Sequence, residues 1–408
     1  MAGPQNDSEA YVAALCERSF LPLWSYPNPT GKKGKELCDL LVVCGRDVAI
    51  VSVKDIRPSP EADEPTRTQR WVKKAIDGSF RQLAGAERWL RTESRVTDAD
   101  GARAVDLPPL DERRVYRIAL AFGGEGAMPL KQGDFGSGFM HAMDEQAFDK
   151  LIRELDTATD FFDYLRQKED LVSRATLLFE GAEEDLLAFY LSQNRSFPEE
   201  ISMMVVGEGM WEAFSASAEN QARLRANEIS YVWDRIIEEH IDGFRNAPRP
   251  APPSFVDAAA TVWQAERVLR IMAQEDRYWR RELSTALVEV IRPPDGRPIR
   301  SRFAISPERR VTYVFLRLRG DEDVEARTQE LFLRCWVARD QFPDHPVVVG
   351  MMFGTAPGDP NEMLLLDQTE WGEDQREKAQ LIRDELGYFA SPRERRSQGR
   401  EFPISDDE

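Results

Sequence analysis

The sequence predicts an α/β protein with an N-terminal α/β domain, a helical middle region and a C-terminal α/β domain. Apolar strand segments alternate with helical segments at both ends of the chain, and residues 144–246 show mainly helical periodicity. The length of 408 residues exceeds what one hydrophobic core usually holds, so several domains are expected. We place the domains at 1–143, 144–246 and 254–390, and we predict that the charged tail, 391–408, is disordered.

Composition narrows the cellular setting and the chemistry. Hydrophobic residues make up 42% and charged residues 31% of the chain, which is the balance of a soluble globular protein. No apolar run reaches the length of a membrane span, and residues 1–7 lack the regions of a secretory signal. The four cysteines occur singly in apolar segments, so we expect buried thiols in a reducing cytoplasm. Only three histidines occur, none paired by spacing, which disfavours histidine catalysis and zinc sites.

The net charge of −18 argues against broad electrostatic binding of nucleic acid. A local basic surface is still compatible with this charge, and a magnesium site requires acids in any case. The acidic composition therefore counts against nucleic-acid binding, and only local basic features can support such binding.

The elements of the N-terminal domain follow from apolar spacing and from the residues that begin or end helices and strands. A helix is predicted from the capping residue Ser8 to Phe20, followed by an extended loop over 24–29, a hairpin over 37–54, a helix over 68–92 and a strand over 115–122. The order of helix, hairpin, helix and strand is typical of an α/β layer arrangement.

The remaining elements are predicted in the same way. In the middle region we expect helices at 145–155, 158–172, 183–193 and 218–244, and the proline-rich segment 247–253 is the strongest linker signal. Beyond it we expect a helical stretch at 255–290, strands at 299–305 and 311–318, a helix at 324–342, strands at 347–353 and 363–366, and a last helix ending near 386. The C-terminal domain thus repeats the order of hairpin, helix and strand.

The N-terminal hairpin carries an acid where its first strand begins and a lysine where its second strand ends. With a loop of Arg46-Asp47, or the longer loop from Gly45 to Val48, Asp39 is predicted to lie opposite Lys54 on one face of the sheet. A carboxylate can hold a divalent cation, and an ammonium group can stabilise a phosphate oxyanion. The pair therefore predicts a site, and the plain alternative is a structural ion pair at a strand end.

The combination of Asp39 with Ser52-Val53-Lys54, flanked by two helices, resembles the restriction-endonuclease-like superfamily, which is known by its PD-(D/E)XK signature. The resemblance covers about the first 125 residues. Members cut phosphodiester bonds with Mg²⁺, using an acid that opens one strand and an acid-x-lysine on the next. The resemblance implies that Asp39 is a ligand for Mg²⁺ or Mn²⁺ and that Val53 offers its carbonyl oxygen as a further ligand. It also implies that Lys54 positions or deprotonates the attacking water.

Two further positions of the family have counterparts in this chain. Many members use a glutamate in the first helix, where Glu9 fits best and Glu17 is its rival. Some branches place a glutamine on the helix after the lysine strand, and Gln82 resembles that residue. Small residues on the same stripe of that helix would let Gln82 approach the hairpin closely.

Ser52 departs from the family pattern, which prefers an acid at this position. A serine hydroxyl is a neutral and weak ligand for Mg²⁺, so one negative charge is missing from the expected site. Glu36 or Glu9 could supply that charge from a neighbouring element. Equally, Ser52 could mark an enzyme-derived domain that binds nucleic acid without cutting it, or be an ordinary strand serine.

Basic residues cluster beside the proposed site in a chain that is otherwise acidic. The candidates for phosphate contacts are Lys32, Lys33 and Lys35 before the first strand, and Arg70, Lys73, Lys74 and Arg81 on the long helix. Their plain alternative is a solvated surface. Trp71 and Trp89 on the same helix are more typical of core anchors than of base-stacking platforms.

We therefore expect a metal-dependent nuclease that hydrolyses DNA, with RNA as the lesser alternative. The expected catalytic residues are Asp39, Ser52, Lys54 and Gln82, and the expected metal ligands are Asp39, Glu9, Glu36 and Val53. By resemblance alone, such a protein would serve prokaryotic defence or DNA processing, and its helical and C-terminal regions would recognise substrate, a protein partner or a signal. The competing expectation is a non-catalytic nucleic-acid-binding or scaffold subunit with a degenerate nuclease fold.

Overall fold

The computed structural model describes residues 6–22, 24–58, 63–98, 104–124, 132–136, 138–246, 266–293, 300–318, 323–354, 362–390 and 402, with the backbone alone at 242–246 and 324. The predicted linker at 247–253 lies outside these residues, and so does the predicted disordered tail apart from residue 402. The chain forms two compact units, Met1–Gln221 and Ala222–Glu408. Both contain helices and sheets, so the predicted α/β class is confirmed.

The first unit is built around a mixed β-sheet. The described strands of the first unit are β1 (Ser25–Pro27), β2 (Leu40–Cys44), β3 (Asp47–Asp55), β4 (Arg95–Thr97), β5 (Ala104–Asp106), β6 (Arg114–Phe122), β7 (Gly133–Asp134), β8 (Phe139–Met143), β9 (Thr176–Phe179) and β10 (Met203–Val206). Six of them form one sheet in the order β1-β2-β3-β6-β8-β7, in which β3, β6 and β8 are parallel and the other neighbours are antiparallel.

Helices connect these strands and cover the sheet. They are α1 (Asp7–Phe20), α2 (Glu64–Leu90), α3 (Glu145–Glu154), α4 (Ala158–Arg174), α5 (Glu183–Ser192) and α6 (Met210–Ala216), while α7 (Ala218–Asn227) crosses the division between the units. The helices α1 to α5 lie within a few residues of their predicted positions, α7 lies within the helix predicted at 218–244, and α6 was not predicted. The region 144–246, predicted as mostly helical, also contains β9 and β10, which form a separate two-stranded parallel sheet.

The turn between β2 and β3 differs from the prediction. Cys44 pairs with Asp47 and Leu40 pairs with Val51, so the two-residue loop is Gly45-Arg46 and the predicted pairing of Asp39 with Lys54 is wrong by two residues. The reason is the backbone of Gly45, whose φ of 60° suits the first central position of a tight hairpin turn. A shift of two residues keeps every side chain on its predicted face, because side chains alternate along a strand.

Two local predictions at the N-terminus are also corrected. The N-cap of α1 is Asn6 rather than Ser8, because the Asn6 side chain accepts a hydrogen bond from the Glu9 backbone N–H. The segment predicted as an extended loop over 24–29 contains β1, in which Ser25 pairs with Val42 of β2. The proline residues of this segment are compatible with β1 because it is an edge strand of the sheet.

The helix α2 packs across one face of the sheet and forms a hydrophobic core with it. Its long apolar stripe faces the strands, as the 3.6-residue period predicts. Buried residues of α2 that belong to this core are Trp71, Ala75, Ile76, Leu83, Ala86 and Leu90, and the facing strand residues include Leu41, Val43, Val48, Ile50, Ala119 and Ala121. The open end of the hairpin, where β2 begins and β3 ends, is thereby held against the middle of α2.

The second unit contains a four-stranded sheet in the order β11-β12-β13-β14. Its elements are α8 (Tyr231–Asn246), α9 (described over 266–273), α10 (Arg277–Ile291), β11 (Ser301–Ser306), β12 (Val311–Arg317), α11 (Val324–Gln341), β13 (Val347–Phe353), β14 (Glu362–Asp367) and α12 (Glu373–Leu386). The strands β12 and β13 are parallel, and the other pairs are antiparallel. The order of hairpin, helix and parallel strand therefore occurs in both units.

Helices cover both faces of this second sheet. Tyr313 of β12 lies against Trp233 of α8, with ring centroids 5.1 Å apart. The next residue, Val314, belongs to a core cluster on the other face that includes Leu331 and Cys335 of α11. Among the described helices of either unit, none combines the length and apolar character required to cross a bilayer.

Candidate active site

Asp39 lies immediately before β2, and its side chain is only 4% exposed. Its Oδ2 accepts a hydrogen bond of 2.5 Å from the backbone N–H of Val53, and its own backbone N–H donates to the carbonyl of Val51 at 3.1 Å. The carboxylate therefore provides the hydrogen-bond acceptor for a backbone N–H of β3 at the point where the paired strand β2 no longer provides one. The N–H and C=O of one strand residue point toward the same neighbouring strand, so the Val53 carbonyl also lies on the Asp39 side.

Lys54 lies next to this carboxylate. The distance from its Nζ to Asp39 Oδ2 is 3.9 Å, and its side chain is 32% exposed. The predicted proximity of the carboxylate and the ammonium group therefore occurs although the strand register differs from the predicted one. Both side chains lie on the face of the sheet that packs against α2. The long distance and partial exposure make this a weak ion pair that contributes little to stability.

A short hydrogen-bonded chain links the strand to the helix. The fully buried hydroxyl of Ser52 donates to Gln82 Oε1 at 3.1 Å and lies 3.2 Å from the hydroxyl of Ser79. Gln82 Nε2 in turn donates to Asp39 Oδ1 at 3.5 Å. Sequence reasoning predicted the position of Gln82 but missed Ser79. The signal was present, since Ser79 lies one helical turn before Gln82 on a face rich in small residues.

The oxygen atoms at this point suit a hard divalent cation. Asp39 offers one carboxylate, Val53 a carbonyl, and Ser52 and Gln82 neutral oxygens. Magnesium in phosphate-processing sites is usually held by one or two protein carboxylates together with water and substrate phosphates. The donor set is therefore compatible with Mg²⁺ or Mn²⁺, with less negative charge than two acids would give.

The structure does not collect the other predicted ligands into this group. Glu9 lies in the first turn of α1, where its Oε1 accepts a hydrogen bond from Asn6 Nδ2. Glu36 is exposed and forms an isolated bridge with Thr30. In the part of the chain that the structure describes, no group of three or more Asp, Glu, His or Cys side chains is arranged to hold a metal ion.

A second carboxylate near the site escaped sequence reasoning. Asp55 follows Lys54 in β3 and is exposed, and its Oδ2 accepts a hydrogen bond of 2.7 Å from Ser8 of α1. Because side chains alternate along a strand, Asp55 projects from the face opposite to Lys54. It therefore ties α1 to β3 rather than joining Asp39.

The predicted phosphate-binding residues are all exposed. Lys32 and Lys33 belong to a short 3₁₀ turn, Lys32–Gly34, and Lys35 follows it. Arg70, Lys73, Lys74 and Arg81 lie on the outer surface of α2. The turn also borders a cavity of about 670 Å³ that is lined on its other side by the C-terminal part of α2.

No protein-family model, curated protein or solved structure matches this chain. The assignment of function therefore depends on the residues and contacts of the chain itself.

Buried charges also occur in the first unit away from Asp39. Lys168 is fully buried, and its Nζ lies 2.5 Å from Glu183 Oε1, which also accepts a hydrogen bond of 2.6 Å from Tyr164. Burial lowers the pKa of Lys168, while the neighbouring Glu183 carboxylate opposes that shift. The three side chains link α4 to the start of α5.

A histidine–glutamate pair joins strand β8 to the same helix, α4. His141 of β8 is fully buried, and its Nε2 is 3.0 Å from Glu169 Oε1. Burial holds the pKa of His141 well below its usual value, and the positive charges of Lys168 and Arg117 act in the same direction. Burial, together with the adjacent Asp170, raises the pKa of Glu169 to about 7. Near neutral pH His141 therefore favours its uncharged form, whereas Glu169 carries its proton for only about half of the time.

Proposed function

We propose that this chain is a metal-dependent nuclease that hydrolyses phosphodiester bonds in DNA. The observation that carries this proposal is the convergence of Asp39, Lys54 and Gln82 at one end of the β2–β3 hairpin. A buried carboxylate, an accessible ammonium group and a backbone carbonyl at one end of this hairpin can together support metal-assisted hydrolysis of a phosphodiester. Their order along the chain is also the one that the resemblance to the restriction-endonuclease-like superfamily implies.

Each group has a role that its position supports. Asp39 and the Val53 carbonyl would hold Mg²⁺, with Ser52 and Gln82 fixing the orientation of the carboxylate. When bound, the metal polarises the scissile phosphate and lowers the pKa of the attacking water. Lys54 would orient or deprotonate that water, or offset charge on the phosphate oxygens, and its partial exposure leaves its ammonium group able to reach a substrate.

The substrate and setting belong to the same proposal. The exposed lysines at 32, 33 and 35 and the basic residues on α2 would contact the phosphates of a DNA backbone. We propose action in the cytoplasm, in defence or DNA processing, with the second unit binding substrate, a protein partner or a signal.

Plasmid degradation tests the proposal directly. The wild type should convert supercoiled plasmid to nicked or linear forms with Mg²⁺ or Mn²⁺ and not in EDTA. Lys54→Ala should reduce the rate by about 10²-fold or more because it removes a group that stabilises charge in the transition state. Arg18→Ala, at an exposed cation of α1 outside the proposed phosphate-binding residues, is the control and should cut at the wild-type rate. Cutting that survives both Lys54→Ala and Asp39→Ala would refute the assignment.

The alternative function is a non-catalytic subunit that binds nucleic acid through a degenerate nuclease fold. It is favoured by Ser52, a neutral residue where the family has an acid, and by the single carboxylate among the described oxygen donors around it. This reading predicts that the purified protein binds DNA but that no form of it cuts plasmid with either metal.

A further inference from the structure

A cavity of about 670 Å³ lies between the 3₁₀ turn and the last turns of α2. Lys32 and Lys33 line one side of it, and Arg88 and Trp89 of α2 line the other, with Glu93 at the end of the helix. Three cations and one acid give the lining a positive charge, although the chain as a whole carries a net charge of −18. Its volume is within the range of small-ligand sites.

Gly85 lies inside α2 and faces this cavity. Glycine within a helix is less favourable than alanine, so its presence calls for a reason. Crowding by the chain is not that reason, because a Cβ built on Gly85 would meet only Arg88 Nη2, at 3.8 Å, among the described atoms. The missing side chain instead keeps the cavity open beside Trp89.

The opposite wall has an unusual backbone. Lys33 has a φ of 59°, in the left-handed region that residues with a side chain seldom adopt, and Gly34 follows with a φ of 73°. Backbone hydrogen bonds from Gly31 to Lys35, at 2.6 Å, and from Lys35 to Lys32, at 3.3 Å, close the turn. The turn therefore brings Lys32 and Lys33 to the cavity, with the backbone of Lys33 in a strained conformation.

The cavity adjoins the candidate active site along α2. Gln82, Gly85 and Trp89 follow one another at spacings of three and four residues, so they lie on one face of the helix. Gln82 contacts Asp39, and the rise of 1.5 Å per residue places Trp89 about 10 Å further along the axis. A strand bound at Asp39 that runs along α2 toward its C-terminal end would reach the cavity.

We propose that this cavity binds one unpaired nucleotide of a single-stranded DNA segment, with its base against Trp89 and its phosphate against Lys32, Lys33 and Arg88. The identity of the ligand rests on the proposed nuclease function. A base in a duplex has both faces covered by its neighbours, so only an unpaired base can stack on a side chain within a cavity. The subsite would direct hydrolysis to single-stranded DNA or to strands with unpaired ends.

Binding measured without catalysis tests this inference. A fluorescent oligothymidylate is titrated with protein in EDTA and its anisotropy recorded, with a duplex and an abasic oligonucleotide of equal length for comparison. Trp89→Leu should weaken binding of the oligothymidylate about 5- to 140-fold, the range expected for one stacked base. Trp211→Leu, at a half-buried tryptophan of the same unit outside the cavity, is the matched control and should bind like the wild type.

Two comparisons distinguish loss of the nucleotide subsite from a general loss of affinity for DNA. The wild type should lose affinity for the abasic oligonucleotide, while Trp89→Leu should bind the normal and abasic oligonucleotides equally. Gly85→Leu places a branched side chain in the cavity beside Trp89 and should weaken binding, whereas Gly85→Ala adds one methyl group and should retain most of it. Circular dichroism checks that the variants are folded, and Trp89→Leu keeps the test decisive if Gly85→Leu does not fold.

The inference and the proposed function can fail separately. Plasmid cutting that depends on Asp39, together with oligonucleotide binding unaffected by Trp89→Leu and Gly85→Leu, would overturn the subsite and keep the nuclease. Single-strand binding that needs Trp89, in a protein that cuts neither plasmid nor single-stranded DNA with Mg²⁺ or Mn²⁺, would support the subsite and reject hydrolysis. A wild type that binds the oligothymidylate no better than the abasic oligonucleotide, or binds neither, overturns the inference.

Discussion

Replacement of Asp39 separates its proposed catalytic role from its structural one. Asparagine keeps the shape of the side chain and an oxygen that can accept the hydrogen bond from Val53, but it removes the negative charge. Alanine removes the charge, the shape and the hydrogen bond. The two variants should therefore be equally inactive and differ in stability.

The stability difference follows from the contacts of the carboxylate. In Asp39→Ala the backbone N–H of Val53 loses its acceptor at a residue that is 3% exposed, which costs about 1–3 kcal/mol. Lys54 is 32% exposed and can turn to water, so loss of the ion pair costs about 0–1 kcal/mol. Together these lower the melting temperature by about 2–16 °C. Asp39→Asn should lose only about 1 kcal/mol, because a neutral acceptor replaces a charged one.

Two measurements on the same protein samples check this reasoning. Nicking of supercoiled plasmid in Mg²⁺ should fall about 10²-fold or more in both variants, and thermal unfolding should rank them as wild type, Asp39→Asn, Asp39→Ala. Asp55→Asn is the matched control. It changes an exposed carboxylate on the opposite face of the same strand and should leave nicking unchanged.

One result would refute the catalytic role. If Asp39→Asn melts within a few degrees of the wild type and nicks plasmid at the same rate, the negative charge is not needed. Asp39 would then serve only to close the end of the hairpin. Equal melting temperatures for the wild type and Asp39→Ala would instead contradict the structural role of its hydrogen bond to Val53.

Three further outcomes follow from the buried groups. Ser52→Glu places an extra carboxylate in a fully buried position, so it should lower the melting temperature in EDTA and raise the affinity for Mg²⁺ in calorimetry; abolished binding would contradict the proposed ligand geometry. Glu169 has a folded-state pKa of about 7, above its unfolded value, so the folded protein binds a proton that the unfolded chain releases, and the free energy of unfolding falls as pH rises from about 4.5 to 7. Glu169→Gln should remove about 1–2 kcal/mol of that pH dependence in unfolding titrations. An unchanged slope of stability against pH would contradict the raised pKa. Lys168→Met leaves the Glu183 carboxylate buried without its cation and should destabilise the protein by about 3–5 kcal/mol, whereas the double variant with Glu183→Gln should recover most of this; equal stability of the two variants would contradict the pairing.

The sequence was sufficient to predict the elements around the site because local periodicity determines them. The apolar stripe of α2 placed Gln82 toward the hairpin, and it does contact Asp39. The meeting of Asp39 with Lys54 was predicted from strand alternation, which depends only on whether residue spacing is odd or even. That part of the prediction survived an error in register.

The register itself could not be derived from the hydrophobic pattern. Shifts of two residues leave the same side chains on the same faces, so apolar spacing cannot distinguish them. The choice was made by the backbone of Gly45, which takes a positive φ at the first position of the turn. The prediction placed the turn at Arg46-Asp47, or over the longer loop from Gly45 to Val48, and did not weigh that preference.

The missed residues depend on contacts that are distant in sequence. Ser79 bonds to Ser52, 27 positions away, and Ser8 bonds to Asp55, 47 positions away. Ser8 was predicted to cap its own helix, and Asn6 fulfils that role instead. Serine, asparagine and aspartate all accept backbone hydrogen bonds at a helix start, so their order in a sequence does not decide which one caps.

The Gly45-Arg46 turn also bears on how this hairpin tolerates change in length over evolution. Insertion of a single amino acid there would exchange the two faces of β3. Lys54 and Ser52 would then point away from α2, and Asp55 would point toward it. Insertion of two would slide the strand but preserve the side on which each residue emerges. Relatives of this protein should therefore differ at this loop by even numbers of residues, unless a compensating bulge restores the alternation.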